Sequence, residues 1–246
     1  MEFKIIDFFE KDSKELNILQ QAFFNAPFTS GKMKISQPNG EFMDDNTDIK
    51  NNFEMEKDAV EPGHQYFHHY SKNSYYGRCY EIVKKVVENN YELMTHTLRN
   101  KTTDFIFSKY PEGAYYNKHV DSQKMGQTLR TDYSVTVFIN DPSEYEGGEL
   151  CIDVGTHEMK YKLDAGKAIV YPTGVEHRVN TVTSGERHAC VFWIESAIQD
   201  IRMRKIYRDV HDMCNKYLNE PNAPVLISKK GFELQHYILR HFANYS

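Results

Sequence analysis

The sequence predicts a mainly β protein with helical flanks, a double-stranded β-helix (jelly roll) core supported by N- and C-terminal helices. Three observations carry that prediction. Eight short strand-like runs follow one another between Asp104 and Glu195, set apart by regular turn signals, which suits a jelly roll and not a βαβ fold. Apolar residues recur at helical spacing on both sides of that block. The chain has 246 residues, 26% charged and 40% apolar, which is an ordinary globular composition and enough for one core with additions. The aromatic share of 13%, carried by 17 Tyr and 15 Phe, favours half-buried strands.

Taken in order, Asp12 or Ser13 caps a first helix running to about Asn25, with Ile18, Leu19, Ala22 and Phe23 as its buried stripe. The stretch from Pro27 to Pro62 is polar and turn-rich, and Asn39-Gly40 marks a short hairpin. Because long loops in compact domains are often functional, the segment 27–76 is a candidate lid. A second helix is expected from Tyr75 to Leu98, on Ile82, Val83, Val86, Val87 and Tyr91. Strands follow near 104–110, 115–121, 132–140, 148–154, 157–163, 167–172, 177–183 and 187–195. Their breakers include Pro111-Glu112-Gly113, Asp141-Pro142, Gly147-Gly148, Pro172-Thr173-Gly174 and Ser184-Gly185. A helix from Glu195 to about Leu218 and a last one over 229–243 close the chain. The expected organisation is a helical and loop-rich N-terminal flank (1–103), the β-helix (104–196) and a C-terminal helical flank (197–246).

Composition excludes several classes. The net charge is −5 and no dense Lys/Arg cluster is present, so nucleic acid is not an expected partner. Cys79, Cys151, Cys190 and Cys214 show no CxxC spacing, as in a reducing compartment. The start lacks a basic n-region and an apolar h-region, and no run has the apolar length of a membrane span. The expectation is a cytoplasmic protein without a membrane partner; monomer and homodimer both stay open.

The chemistry begins at His119-Val120-Asp121. Side chains at i and i+2 of a strand share a face, so an imidazole and a carboxylate can aim at one point. Alone the motif is weak, because composition predicts about 0.7 His-x-Asp tripeptides by chance, and His119 then reads as an ordinary histidine. His177 opens a later strand. Two histidines and one carboxylate make the facial triad of non-haem Fe(II) oxygenases, three protein ligands that leave three positions of an octahedral ion open. A closed zinc site would want a fourth ligand, commonly Cys. Arg187 lies ten residues beyond His177. Its guanidinium is a planar, permanently charged fork, and inside a barrel it needs an anion such as the distal carboxylate of 2-oxoglutarate. The competing reading pairs it with Glu186 or Glu176.

The run from Tyr110 to Asp200 resembles the PKHD-type hydroxylases, bacterial relatives of the prolyl 4-hydroxylases. The resemblance is carried by Tyr-Pro-Glu-Gly (110–113), His-Val-Asp (119–121), Leu-Arg-Thr-Asp-Tyr-Ser (129–134) and Asn-Asp-Pro-Ser-Glu-Tyr-Glu-Gly-Gly-Glu-Leu (140–150). It continues through Leu-Asp-Ala-Gly (163–166), Tyr-Pro-Thr-Gly-Val-Glu-His-Arg-Val (171–179), Gly-Glu-Arg (185–187) and Phe-Trp-Ile-Glu-Ser (192–196), with Lys50-Asn51-Asn52 in the flank. It implies iron held by His119, Asp121 and His177, 2-oxoglutarate anchored by Arg187, and Tyr110 as a second cosubstrate contact, against a plain core role for that tyrosine. L-ascorbate belongs to the same implied cofactor set. Tyr133 stands where many relatives have leucine, and either adds a hydroxyl to the pocket or packs. Ser134, Thr136 and Asn117 are candidates to orient the ligands; Trp193, on the parity of Arg187, is read as core packing. His64, His68 and His69 read as surface or substrate-contact residues.

The implied reaction hydroxylates an unactivated C–H bond, with succinate and CO₂ as co-products. The carboxylate of Asp121 favours hydroxylation over halogenation. A peptidyl proline is the first expected substrate, a small molecule or free amino acid the second, and a non-catalytic cupin-like metal- and 2-oxoglutarate-binding domain the reading from a different class.

Overall fold

A computed structural model describes residues 3–32, 34–36, 42–44, 49–57, 70–125, 129–218 and 225–245. The chain begins with strand β1 (Lys4–Asp7) and helix α1 (Lys14–Asn25). The Ser13 hydroxyl accepts from the Leu16 N–H at 3.3 Å and so caps the first turn of α1. Leu16, Leu19, Ala22 and Phe23 form its buried stripe, so Ile18 of the expected stripe lies off the core face. Short strands follow: β2 (Phe28–Ser30), β3 (Lys34–Ser36), β4 (Phe42–Asp44), β5 (Lys50–Asn51) and β6 (Phe53–Met55). Strands β3 and β4 pair as the expected hairpin, with Ile35 opposite Met43; its turn at Asn39-Gly40 lies outside the described residues. So do His64, His68 and His69 and much of the segment read as a lid.

The helix expected over 75–98 is two helices, α2 (Tyr75–Asn89) and α3 (Tyr91–Thr97). Asn90 divides them. Its backbone N–H closes α2 on the Val86 carbonyl at 2.8 Å, and its side-chain Oδ1 accepts from the Leu93 N–H at 2.8 Å to start α3. An asparagine inside an apolar helical pattern satisfies backbone groups better as a cap than as an interior residue. Periodicity does not see that break.

The strand-rich block comprises β7 (Arg99–Thr102), β8 (Ile106–Pro111), β9 (Tyr115–His119), β10 (Lys124–Met125), β11 (Leu129–Arg130), β12 (Tyr133–Phe138), β13 (Tyr145–Gly147), β14 (Leu150–Asp153), β15 (Glu158–Tyr161), β16 (Lys167–Pro172), β17 (His177–Val179) and β18 (Val182–Ser196). Among the described residues the larger sheet runs β1-β16-β12-β18-β8-β6-β2, with β13 and β7 also on β18, and the smaller runs β15-β14-β17-β9-β5. All their pairings are antiparallel. This is the jelly roll expected. The N-terminal flank is less purely helical than expected, since β1, β2 and β6 extend the larger sheet and β5 the smaller. Two- to four-residue strands are too short to show a period of two, and their hydrogen bonds come from partners far away in sequence.

Burial on two faces explains the core. In β12 every residue is buried, because Val135 and Val137 join Phe23, Val83, Phe107 and Phe192 beneath α1 and α2, while Phe138 joins Tyr110, Leu150, Ile152 and Val182 between the sheets. Helices α4 (Ile201–Leu218) and α5 (Val225–Phe242) close the chain as expected. Among the described residues no helix is long and apolar enough to cross a membrane.

Candidate metal centre and cosubstrate seat

His119 ends β9 and His177 opens β17, and the two are direct cross-strand partners in the smaller sheet. Their ring centroids are 4.3 Å apart. Asp121 lies two residues past the end of β9, not within it as expected, so strand parity does not place it. Two donors from the larger sheet hold it instead. The Trp193 indole Nε1–H donates to Asp121 Oδ2 at 2.9 Å and the Ser134 hydroxyl to the same oxygen at 2.8 Å. Ser134 and Trp193 oppose each other across β12 and β18. The carboxylate thus bridges the two sheets.

The three side chains converge. His119 Nε2 stands 3.6 Å from Asp121 Oδ1, and His177 Nε2 stands 3.6 Å from Asp121 Oδ2. One ligand atom from each lies within 4.8 Å of the others. The imidazole tautomers are fixed from behind. His119 Nδ1–H donates to the Asn117 carbonyl at 2.7 Å, and His177 Nδ1–H to the Val175 carbonyl at 3.0 Å, which leaves both Nε2 lone pairs facing the centre. Burial holds the His177 imidazole below its ordinary value and so neutral. Burial works to raise Asp121, but the adjacent imidazoles and the Trp193 and Ser134 hydrogen bonds outweigh it and keep the carboxylate ionised. Two imidazoles and a carboxylate suit a ferrous ion with open positions.

A second group lies along the larger sheet. Arg187 on β18 is opposite Tyr110 on β8 and only 1% exposed. Its guanidinium lies 5.0 Å from the Tyr110 ring and 5.4 Å from the Phe138 ring. The alternative carboxylates are engaged elsewhere, Glu186 with His188 at 2.8 Å and Lys109 at 3.4 Å, and Glu176 with Lys118 at 2.8 Å. Among the described residues no carboxylate pairs with Arg187, and its Nε has no hydrogen-bond partner. A buried cation without an anion is costly, and a dicarboxylate cosubstrate would satisfy it. Gly148, at φ 66°, lets the chain pass close by, since a Cβ there would come within 3.2 Å of Arg187 Cδ. Burial raises the Tyr110 hydroxyl, against the lowering pull of Arg187, and keeps it a neutral donor.

Several sequence readings change. Trp193 does more than pack, because its N–H holds Asp121. Tyr133 points away from the pocket, being one residue from Ser134; its hydroxyl accepts from Arg208 Nη1 at 2.8 Å and its ring lies 4.9 Å from the Arg204 guanidinium of α4. Asn117 orients His119 through its backbone carbonyl, and Thr136 stands beside Tyr171. Two neighbours were missed. The Tyr145 hydroxyl is buried near Arg187. The Tyr116 ring stacks on His119 at 3.7 Å and 13°. Residues three apart in a regular strand face opposite ways, but β9 is bulged here, with Tyr116 to His119 spanning only Val179 to His177. No local sequence signal marks that bulge.

A jelly roll holding two imidazoles and a carboxylate around one point, with a buried uncompensated arginine, defines the class of the iron- and 2-oxoglutarate-dependent oxygenases. The 2OG-Fe(II) oxygenase superfamily model matches residues 105–195. A PKHD-type hydroxylase of Rippkaea orientalis is 34% identical over 200 residues, covering 80% of this chain and 81% of the relative. One of Cupriavidus metallidurans is 34% identical over 174 residues, 68% of this chain and 75% of the relative. The chain belongs to the PKHD-type hydroxylase family and is a 2-oxoglutarate-dependent dioxygenase. In fold it resembles a Trichoplax adhaerens prolyl hydroxylase in complex with a hypoxia inducible factor peptide fragment, with a TM-score of 0.55 at 15% identity over 78% of this chain and 83% of that one. Family membership sets aside the non-catalytic cupin-like reading.

Proposed function

We propose that this dioxygenase hydroxylates a peptidyl proline, with His119, Asp121 and His177 as its iron ligands and Arg187 and Tyr110 as the seat of 2-oxoglutarate. The observation that carries the site assignment is the pairing of two unmet demands in one barrel. Three ligand atoms face one another within 4.8 Å, and a buried guanidinium lacks a carboxylate partner among the described residues. The proline reading is supported by the prolyl-hydroxylase likeness of the motifs and by the peptide-bound relative in fold.

Bound iron(II) and 2-oxoglutarate supply the oxidising power that inserts one oxygen atom of O₂ into a C–H bond, releasing succinate and CO₂. The chain's own residues do the rest. His119 and His177 present Nε2 because Nδ1 is committed to a carbonyl on each ring. Asp121 stays ionised and oriented by its two donors. Arg187 would hold the distal carboxylate with its guanidinium, and Tyr110 would offer it a neutral hydroxyl. The apolar walls of Phe138, Tyr171 and Ile169 keep the seat dry.

The flank–core–flank division at 1–103, 104–196 and 197–246 is kept as part of this proposal, as is a cytoplasmic setting, supported by four buried free thiols. L-ascorbate belongs to the proposed cofactor set; turnover that holds without it removes it. The deciding test incubates the protein with Fe(II), 2-oxoglutarate and a proline-containing peptide library, reading peptide mass and succinate. A gain of one oxygen on proline, lost in His119→Ala and Arg187→Ala, is expected. Oxygen appearing only on free amino acids or other small molecules overturns the peptide substrate.

A further inference from the structure

Asn52 links β5 of the smaller sheet to β6 of the larger. The β6–β8 ladder pairs Phe53 with Lys109 and Glu54 with Ser108. Continuing that register by one step sets Asn52 opposite Tyr110, which in turn is opposite Arg187. Opposed residues of antiparallel strands share a face, with Cβ atoms about 4.5–5.5 Å apart. The alternation agrees, since Phe53 is exposed and Lys109 pairs with Glu186, while Asn52, Tyr110 and Arg187 are all buried. The three side chains form one row across β6, β8 and β18.

Asn52 is 1% exposed, and both its Nδ2 and Oδ1 lack a hydrogen-bond partner. An unmet buried amide is unfavourable, so its presence calls for a use. The chain makes room for it, because a Cβ on Gly31 would clash with Asn52 Oδ1.

We infer that Asn52 is a positioning residue for the cosubstrate: once 2-oxoglutarate is seated, its unmet Nδ2–H turns to the Tyr110 hydroxyl oxygen and so directs the single hydroxyl proton along the row toward the distal carboxylate held by Arg187. A phenol has one proton to give and accepts on its oxygen. Occupying the accepting side from β6 leaves donation free toward β18, and hydrogen bonds in such a chain reinforce one another. The inference rests on the Arg187–Tyr110 seat proposed above.

The test titrates the Mn(II)-loaded protein with 2-oxoglutarate by calorimetry, and with pyruvate, which has the same 2-oxo acid head and no distal carboxylate. Asn52→Ala should weaken 2-oxoglutarate about fivefold, the worth of one ordinary hydrogen bond, and leave pyruvate unchanged. In a Tyr110→Phe background the same substitution should add nothing. Asn52→Leu, close in shape and free of unmet polar atoms, should melt no lower than the parent and show the same loss. Equal weakening of both acids, or a full additional loss in the Tyr110→Phe background, would mean that Asn52 only packs, and overturns the inference. If Arg187→Gln binds 2-oxoglutarate as the parent does, the seat itself is misplaced, which is a different outcome.

Discussion

Replacing Trp193 with Phe should weaken metal binding by about 10- to 100-fold while leaving the barrel folded. Trp193 is the chain's single tryptophan, and its Nε1–H reaches Asp121 Oδ2 at 2.9 Å. The same oxygen accepts the Ser134 hydroxyl at 2.8 Å. Phe keeps an aromatic ring between the sheets and removes the donor alone. A hydrogen bond to an ionised group contributes about 1.5–3 kcal/mol, and losing a partner that orients a metal ligand typically costs about 10- to 100-fold in affinity. The two figures agree, since about 1.4 kcal/mol is a factor of ten. The assay is calorimetric titration with Mn(II), beside a thermal melt of the metal-free protein. In the parent and in Ser134→Ala, Trp193 emission gives an independent readout, because a paramagnetic ion bound next to Asp121 quenches it. Ser134→Ala should weaken the metal comparably. A Trp193→Phe protein that binds Mn(II) within twofold of the parent refutes the view that the larger sheet holds Asp121 in place.

Arg187→Met should abolish 2-oxoglutarate binding yet raise the melting temperature of the metal-free protein, because an unpaired buried charge carries a desolvation cost that an apolar chain does not; a lower melting temperature would mean the guanidinium has an anion already. Tyr116→Leu should weaken metal binding several-fold by freeing His119 from its 3.7 Å stack, while Tyr116→Phe should not; equal effects of both, seen in Mn(II) titration, would move the role to the hydroxyl. His188 should tie stability to pH. Burial depresses it below its ordinary value of 6.5, against the pull of Glu186. The unfolded chain therefore binds the proton first, and the stabilisation is complete above pH 6.5 and drains as pH falls from there toward the depressed value. Urea unfolding from pH 7 to pH 5 should show a slope of up to about 1.4 kcal/mol per pH unit from this group. His188→Gln should flatten it, and an unchanged slope would assign the effect to other groups.

The fold and the proposed ligand set were legible for different reasons. Between Asp104 and Glu195 the Gly, Pro and Asp turns made a succession of short strands legible, but not their number: β10, β11 and β13 were not anticipated, and Ser184-Gly185, read as a break, lies inside the single strand β18. His177 could be placed because Pro172-Thr173-Gly174 fixes where β17 opens. What stayed hidden depends on register. Tyr116 faces the metal centre only because β9 bulges, and a one-residue irregularity inverts parity without leaving a mark in composition. Asp121 was found by its spacing from His119, but the reason it points inward, two donors on β12 and β18, comes from pairing between distant segments. Asn90 was hidden differently, since a capping asparagine inside an apolar period interrupts a helix without changing the period.

Those register facts also explain how the flanks bear on the chemistry. In β12, consecutive residues face opposite layers. Ser134 turns inward and holds Asp121; Tyr133 turns outward, where its hydroxyl accepts from Arg208 and its ring meets Arg204. Arg204 also pairs with Asp132 at 3.2 Å, and Asp132 accepts the Ser196 N–H at 2.8 Å at the end of the strand that carries Trp193. Helix α4 therefore braces both strands whose side chains grip the same carboxylate oxygen. On the other side, β5 pairs Lys50 with Tyr116, and the Lys50 ammonium lies 5.1 Å from the ring that stacks on His119. The N-terminal flank reaches His119 through one intervening aromatic residue, Tyr116, whereas the C-terminal flank acts through the backbone of β12 and β18. The β-helix supplies the three converging side chains proposed to hold the metal, and the flanking segments fix Tyr116 and the strands that carry Ser134 and Trp193.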